Sequence, residues 1–327
     1  MTRRGAGRLL RLAIAAGLLT YTFWRSDPRQ VGLALGHAAW GPLLVAVLLV
    51  IADRALMAWR WFLLLRPLER DRLPPFPTIL RIFFVSTFVG TFLPGSIGGD
   101  GVRAYSLSRH NVPAADAVAS VFLDRMLGVL SILVMAVVGL LVGRDLAVDA
   151  GVRLLLAITT LACGAAGVLV FSDTIDRFVE AALRPLPWQK ARDVAGDLVG
   201  AIRRYAAHHR ELALVLIGSL AVQFLRTLQA YYLGQAVGVA QPLVTYIAFI
   251  PLILLIMLLP ITVNGIGTSQ AAFVWLFGRV GTPSAESFAL SVLFVALGIV
   301  GNLPGAFLYA SVPLRDGEDR HLVVPKG

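Results

Sequence analysis

Residues 114–142 read AADAVASVFLDRMLGVLSILVMAVVGLLV. From Met126 to Val142 no side chain is charged, and Ser131 is the one hydroxyl. A helix rises 1.5 Å per residue, so about 20 apolar residues cross the ~30 Å hydrocarbon of a bilayer. Inside lipid a single segment satisfies its own backbone amides and carbonyls only as a helix. Runs of the same character recur at 9–24, 39–65, 78–95, 152–171, 211–236, 243–262 and 285–312. The composition agrees, with 57% hydrophobic and only 15% charged residues, where soluble chains carry about a quarter. The expected fold class is all-α, a polytopic helical membrane bundle of about eight transmembrane helices. One integral membrane domain is expected over 1–327: an embedded bundle at 9–312, a cytoplasmic connection at 173–210 and a cytoplasmic tail at 313–327.

The net charge of +10 suggests nucleic acid at first sight. The basic residues instead lie at the ends of apolar runs, where orientation signals belong, so no nucleic-acid partner is expected. Cys163 is the lone cysteine, which excludes an internal disulfide and a cysteine metal site. His37, His110, His208, His209 and His321 fall in connections, so no metal or cofactor is expected. No nucleophile–base set, zinc-protease motif or phosphate loop is present, and no catalytic residue is assigned. The first apolar run ends at Trp24 with no small-x-small site after it, favouring an uncleaved helix over a signal peptide.

Most of the 29 lysines and arginines fall on one side if 78–111 and 243–278 are hairpins that leave the membrane where they entered. Arg25, Arg29, Arg144, Arg153 and Arg279 are then outside, and both termini are cytoplasmic. Within 173–210, Ala191, Val194, Ala195, Leu198, Ala201, Ile202 and Tyr205 share one helical face, with Trp188 before them. This predicts a basic amphipathic helix, either on the cytoplasmic leaflet or packed on the bundle.

The hairpins are themselves a repeat. Leu93-Pro-Gly-Ser-Ile-Gly-Gly-Asp-Gly101 leads through Val112-Pro-Ala-Ala-Asp-Ala117 into a long apolar run. Leu259-Pro-Ile-Thr-Val-Asn-Gly-Ile-Gly267 leads through Thr282-Pro-Ser-Ala-Glu-Ser287 into another. Pro94, Gly95, Gly98 and Gly99 in the first, and Pro260, Asn264, Gly265 and Gly267 in the second, interrupt the helices. Opening to opposite sides, the two re-entrant, broken-helix hairpins would form an inverted repeat around a binding site. Amides at a half-helix start suit a phosphate; packed kinks are the alternative.

Charges inside the apolar runs cost ~2.5–3.5 kcal/mol each on insertion scales, so they should face inward and pair. Asp124, Arg125, Gln223 and Arg226, with Asp100 and Arg103 at the hairpin tip, are the candidate headgroup path. Asp53 and Arg54 lie nearer an interface. The alternative is structural, with Asp124 and one arginine forming a buried pair that sets helix register.

Pro94-Gly-Ser-Ile-Gly-Gly-Asp100, Arg103, Ser120-Val-Phe-Leu-Asp124-Arg125 and Leu259-Pro with Gly265-Ile-Gly267 resemble the lysylphosphatidylglycerol synthase transmembrane, or flippase-like, family over roughly 10–312. The resemblance implies a bacterial cytoplasmic (inner) membrane protein that translocates an anionic or isoprenoid-linked lipid between leaflets, with membrane lipids as partners. The alternative is an accessory subunit of a membrane glycosyltransferase or hopanoid pathway that moves nothing. The synthases' soluble aminoacyl-transfer domain has no counterpart after 312, so no enzyme activity is expected. Thr268-Ser-Gln270 departs from the acidic residue expected after the second glycine motif.

Overall fold

The computed structural model describes residues 16–67, 73–92, 97–143, 154, 157, 161, 189–259, 262 and 265–310. Among them every regular element is helical. The expected span 152–171, the 93–96 interruption with Pro94 and Gly95, and the tail 313–327 lie largely or wholly outside the described residues, as do Pro260 and Asn264.

Among the described residues, 16–25 are helical, and eleven bounded helices follow. They are α1 Pro28–Gly36, α2 Trp40–Leu65, α3 Phe76–Phe92, α4 Ile97–Ser108, α5 Ala114–Val142, α6 Gln189–Ala206, α7 His209–Ala236, α8 Leu243–Leu258, α9 Thr268–Gly278, α10 Ser284–Val300 and α11 Leu303–Ala310. Among the described residues four segments are long and apolar enough to cross a membrane: α2, α5, α7 and the run Ser284–Ala310 formed by α10 and α11. The protein is thus an all-helical membrane bundle. Helices α3 and α8 have 17 and 16 residues. At 1.5 Å each they reach about 24–26 Å, short of the hydrocarbon thickness. That is the length of a hairpin arm.

The repeat reappears in the helices. The order 17, 12 and 29 residues in α3, α4 and α5 is followed by 16, 11 and 27 in α8, α9 and Ser284–Ala310. The turns agree as well. Asn111 (φ 63°) precedes Pro113 by two residues, as Gly281 (φ 79°) precedes Pro283. Asparagine and glycine are the residues that enter the left-handed region at least cost, and proline then starts the next helix. Asp116 and Glu286 follow in the first turns, where the helix dipole favours an acid.

The chain forms two compact units. One comprises residues 1–55, 132–157 and 220–302, and the other 56–131, 158–219 and 303–327. In the second unit α3 and α4 pack as a hairpin. A Cβ on Gly90 would stand 2.9 Å from the Gly99 Cα, and one on Gly99 would stand 2.9 Å from the Ser86 carbonyl oxygen. Only glycine permits that approach. Trp61, Ile79, Phe83, Leu107 and Ala117 form the adjoining core. Helix α6 lays Ala201 and Tyr205 against Leu63, Leu64, Leu123 and Val215, with Leu198 and Ile202 beside them. Its apolar face is consumed by the bundle, which decides between the two expectations for this helix. Burial, with Asp116 adding to it, pushes the Tyr205 hydroxyl above the ordinary tyrosine range.

The first unit holds the second hairpin, α8 against α9, with α9 packed on α10. An aromatic chain runs Tyr231–Tyr246–Phe277–Phe273–Phe294 at centroid distances of 5.1 to 5.8 Å. Gly234 leaves room for the Tyr246 hydroxyl, and Gly139 for the Ile247 carbonyl.

Candidate functional site

Helix α4 turns Asp100 and Arg103 toward α5, where Asp124 and Arg125 are consecutive. The four form two crossed ion pairs. Arg103 Nη1 donates to Asp124 Oδ2 at 3.3 Å. Arg125 grips Asp100 in both forks, Nε to Oδ2 at 2.6 Å and Nη2 to Oδ1 at 3.0 Å. Two parallel N–H···O bonds fix orientation as well as distance.

The inner pair is buried and has a third member. Arg60 of α2 reaches Asp124 Oδ1 at 2.7 Å through Nη2 and donates from Nη1 to Ser219 Oγ at 2.7 Å. Gly128 and Gly218 face it, and a Cβ at either would lie 3.7–3.9 Å from its side chain, in ordinary van der Waals contact. Arg103 also donates from Nε to Ser86 Oγ at 3.4 Å. Its guanidinium lies 4.6 Å from the Phe83 ring centroid and 5.3 Å from that of Trp61. One carboxylate thus holds two arginines, each kept in place by hydroxyls or aromatic faces. Among the described residues the cluster has three arginines and two aspartates, an excess of one positive charge.

Arg60 is the member that the sequence pattern does not single out, because it lies near the end of an apolar run, where basic orientation signals belong. The signal was its place: apolar sequence continues past Arg60 through Trp61 to Leu65. Arg204 was also missed as a partner; it pairs with Asp116 at the start of α5.

Arg226 and Gln223 lie in the other unit. Arg226 Nε is 3.4 Å from Asp53 Oδ1, and Arg54 Nη1 donates to Asp53 Oδ2 at 3.1 Å. Arg54 also donates to the Gly298 carbonyl at 3.3 Å, near the C-terminal end of α10. Arg226 therefore pairs with Asp53, and Asp124 takes Arg60 and Arg103. Gln223 is buried.

The two hairpin tips differ. At the second, Gly265 (φ 74°) and Gly267 (φ 87°) make the turn. The Gly267 N–H donates to Gln270 Oε1 at 2.6 Å, Ser269 donates to the same oxygen, and Thr268 donates to the Gly265 carbonyl. Thr268, Ser269 and Gln270 are all buried. The polar side chains that stand in place of an acid bond within this tip, and Gln270 takes up the Gly267 amide. At the first, Gly98, Gly99 and Asp100 remain partly exposed and Gly101 is open. Among the described residues no group of His, Cys, Asp or Glu could hold a metal ion.

Paired half-helix hairpins and arginine–aspartate clusters within apolar helices define a class of polytopic membrane proteins built to hold charge inside the bilayer. The chain matches the lysylphosphatidylglycerol synthase TM region over residues 8–305 and belongs to that family. A UPF0104 membrane protein of Methanothermobacter thermautotrophicus is 24% identical over 276 residues, which cover 77% of this chain and 78% of that protein.

Proposed function

We propose that the protein translocates an anionic or isoprenoid-linked lipid between the leaflets of the bacterial cytoplasmic membrane, with both termini cytoplasmic. The observation that carries this reading is the five-charge cluster of Arg60, Arg103, Arg125, Asp100 and Asp124. Each charge at mid-bilayer costs ~2.5–3.5 kcal/mol on insertion scales. A bundle that only had to stay folded would pack apolar residues of similar volume there at no loss, and often at a gain. Retaining five charges beside a broken helix supports a polar headgroup path.

The test compares leaflet-resolved lipid composition in cells with the protein, without it, and with Arg103→Gln. Accumulation of one anionic or isoprenoid-linked lipid in a single leaflet, the same in both deficient strains, is expected. Unchanged leaflet distributions with loss of one glycosylated product would instead assign the accessory role to a membrane glycosyltransferase.

A further inference from the structure

Arg125 is the outermost member of its cluster, and its surroundings are those of a lipid contact. Its side chain is 48% exposed, against 14% for Asp100. It lies three residues before the midpoint of α5, a displacement of about 4.5 Å along the axis. Val118 and Phe122 share its helical face at spacings of seven and three residues and are 45% and 39% exposed. On α4, Tyr105 is 44% exposed, and beside Asp100 the Cβ position of Gly101 meets nothing within 4 Å. A half-exposed guanidinium near mid-span, with Val118 and Phe122 exposed on the same helical face, is approached from lipid. The cluster behind it carries one excess positive charge among the described residues.

We infer that the α4–α5 face is a lateral binding site for the phosphate of a membrane lipid, which enters sideways at Arg125. The inference rests on the translocation reading and adds the place and headgroup chemistry of entry. A phosphodiester carries the single negative charge that balances the cluster, and it accepts the paired donors of a guanidinium. Asp100 holds the fork in the orientation that a phosphate would share or take over. The open Cβ position of Gly101 gives the headgroup room. The apolar shoulders commit the site to a lipid rather than to phosphate from water.

The test uses the full chain in phosphate-free bilayers of diglucosyldiacylglycerol containing a minor fraction of phosphatidylglycerol. The photo-crosslinking residue p-benzoylphenylalanine replaces Phe122, or Leu141 as a lipid-facing control (70% exposed). The charge-assisted hydrogen bonds of the guanidinium should make phosphatidylglycerol exceed its bilayer share in the Phe122 adducts about tenfold, which is ~1.4 kcal/mol. No enrichment is expected at Leu141, and Arg125→Gln should abolish the enrichment at Phe122. Adducts at Phe122 that match bilayer composition overturn the site, as does enrichment that survives Arg125→Gln. Translocation is measured alongside in vesicles of the same lipids. Translocation without enrichment removes the site and leaves transport; enrichment without translocation does the reverse.

Discussion

Asp124 is the residue on which the second unit's charges depend. Its carboxylate neutralises two buried arginines, and removing one partner of a buried pair costs about 3–5 kcal/mol because it strands the other charge. Asp124→Asn should therefore destabilise the protein by about that amount, read as a lower unfolding temperature in detergent. A variant as stable as the parent would show that the arginines find other partners. Arg103 makes a sharper case. Its planar group lies over Phe83 and Trp61 while bonding Ser86 and Asp124, and a lysine ammonium matches neither the stacking nor the fork. Arg103→Lys should impair leaflet transport despite keeping the charge, while retention of full transport would reduce Arg103 to a point charge. At this scale sequence reached Asp100, Arg103, Asp124 and Arg125 because charges in apolar runs stand out. It did not reach Arg60, which sits near the end of its run and mimics an orientation signal. Nor did sequence pair Arg226 with Asp53, since which buried charges meet depends on packing.

Among the elements, the α3–α4 hairpin rests on two glycines. A methyl on Gly90 would lie 2.9 Å from the Gly99 Cα, backbone against backbone, so one arm must move. Gly101 lies on the same helix as Gly99, with nothing within 4 Å of its Cβ position. Gly90→Ala is expected to lower thermal stability, whereas Gly101→Ala should hold or raise it by about 0.5–1 kcal/mol, the usual helix gain over glycine. Thermal unfolding of the pair in detergent checks the order; the reverse order would contradict the packed hairpin. Long spans were legible from their apolar runs: 39–65, 114–142 and 211–236 correspond to helices Trp40–Leu65, Ala114–Val142 and His209–Ala236. The shorter events were less so. Helix α1 lay unread in a connection, although Asp27 before Pro28 was a start signal: its side chain accepts from the Arg29 amide at 3.1 Å. The expected span 285–312 is broken at Gly301–Asn302, one turn ahead of Pro304. There hydropathy is continuous but the backbone is not.

For the whole molecule, the account predicts both termini and the 173–210 connection on the cytoplasmic side, from the distribution of lysine and arginine. Reporter fusions at the C-terminus and after His208 should be active in the cytoplasm; periplasmic activity at either would refute the orientation. The central claim is movement of lipid. Its most direct measurement is bleaching of a headgroup-labelled phosphatidylglycerol by a membrane-impermeant reductant in vesicles holding the purified full chain. With the protein present, bleaching should pass beyond the outer leaflet toward completion, and Arg103→Gln, inserted at equal density, should restore the outer-leaflet plateau. Bleaching that stops at the outer leaflet with the parent protein, under conditions where the vesicles are sealed and the chain is folded, would contradict the account.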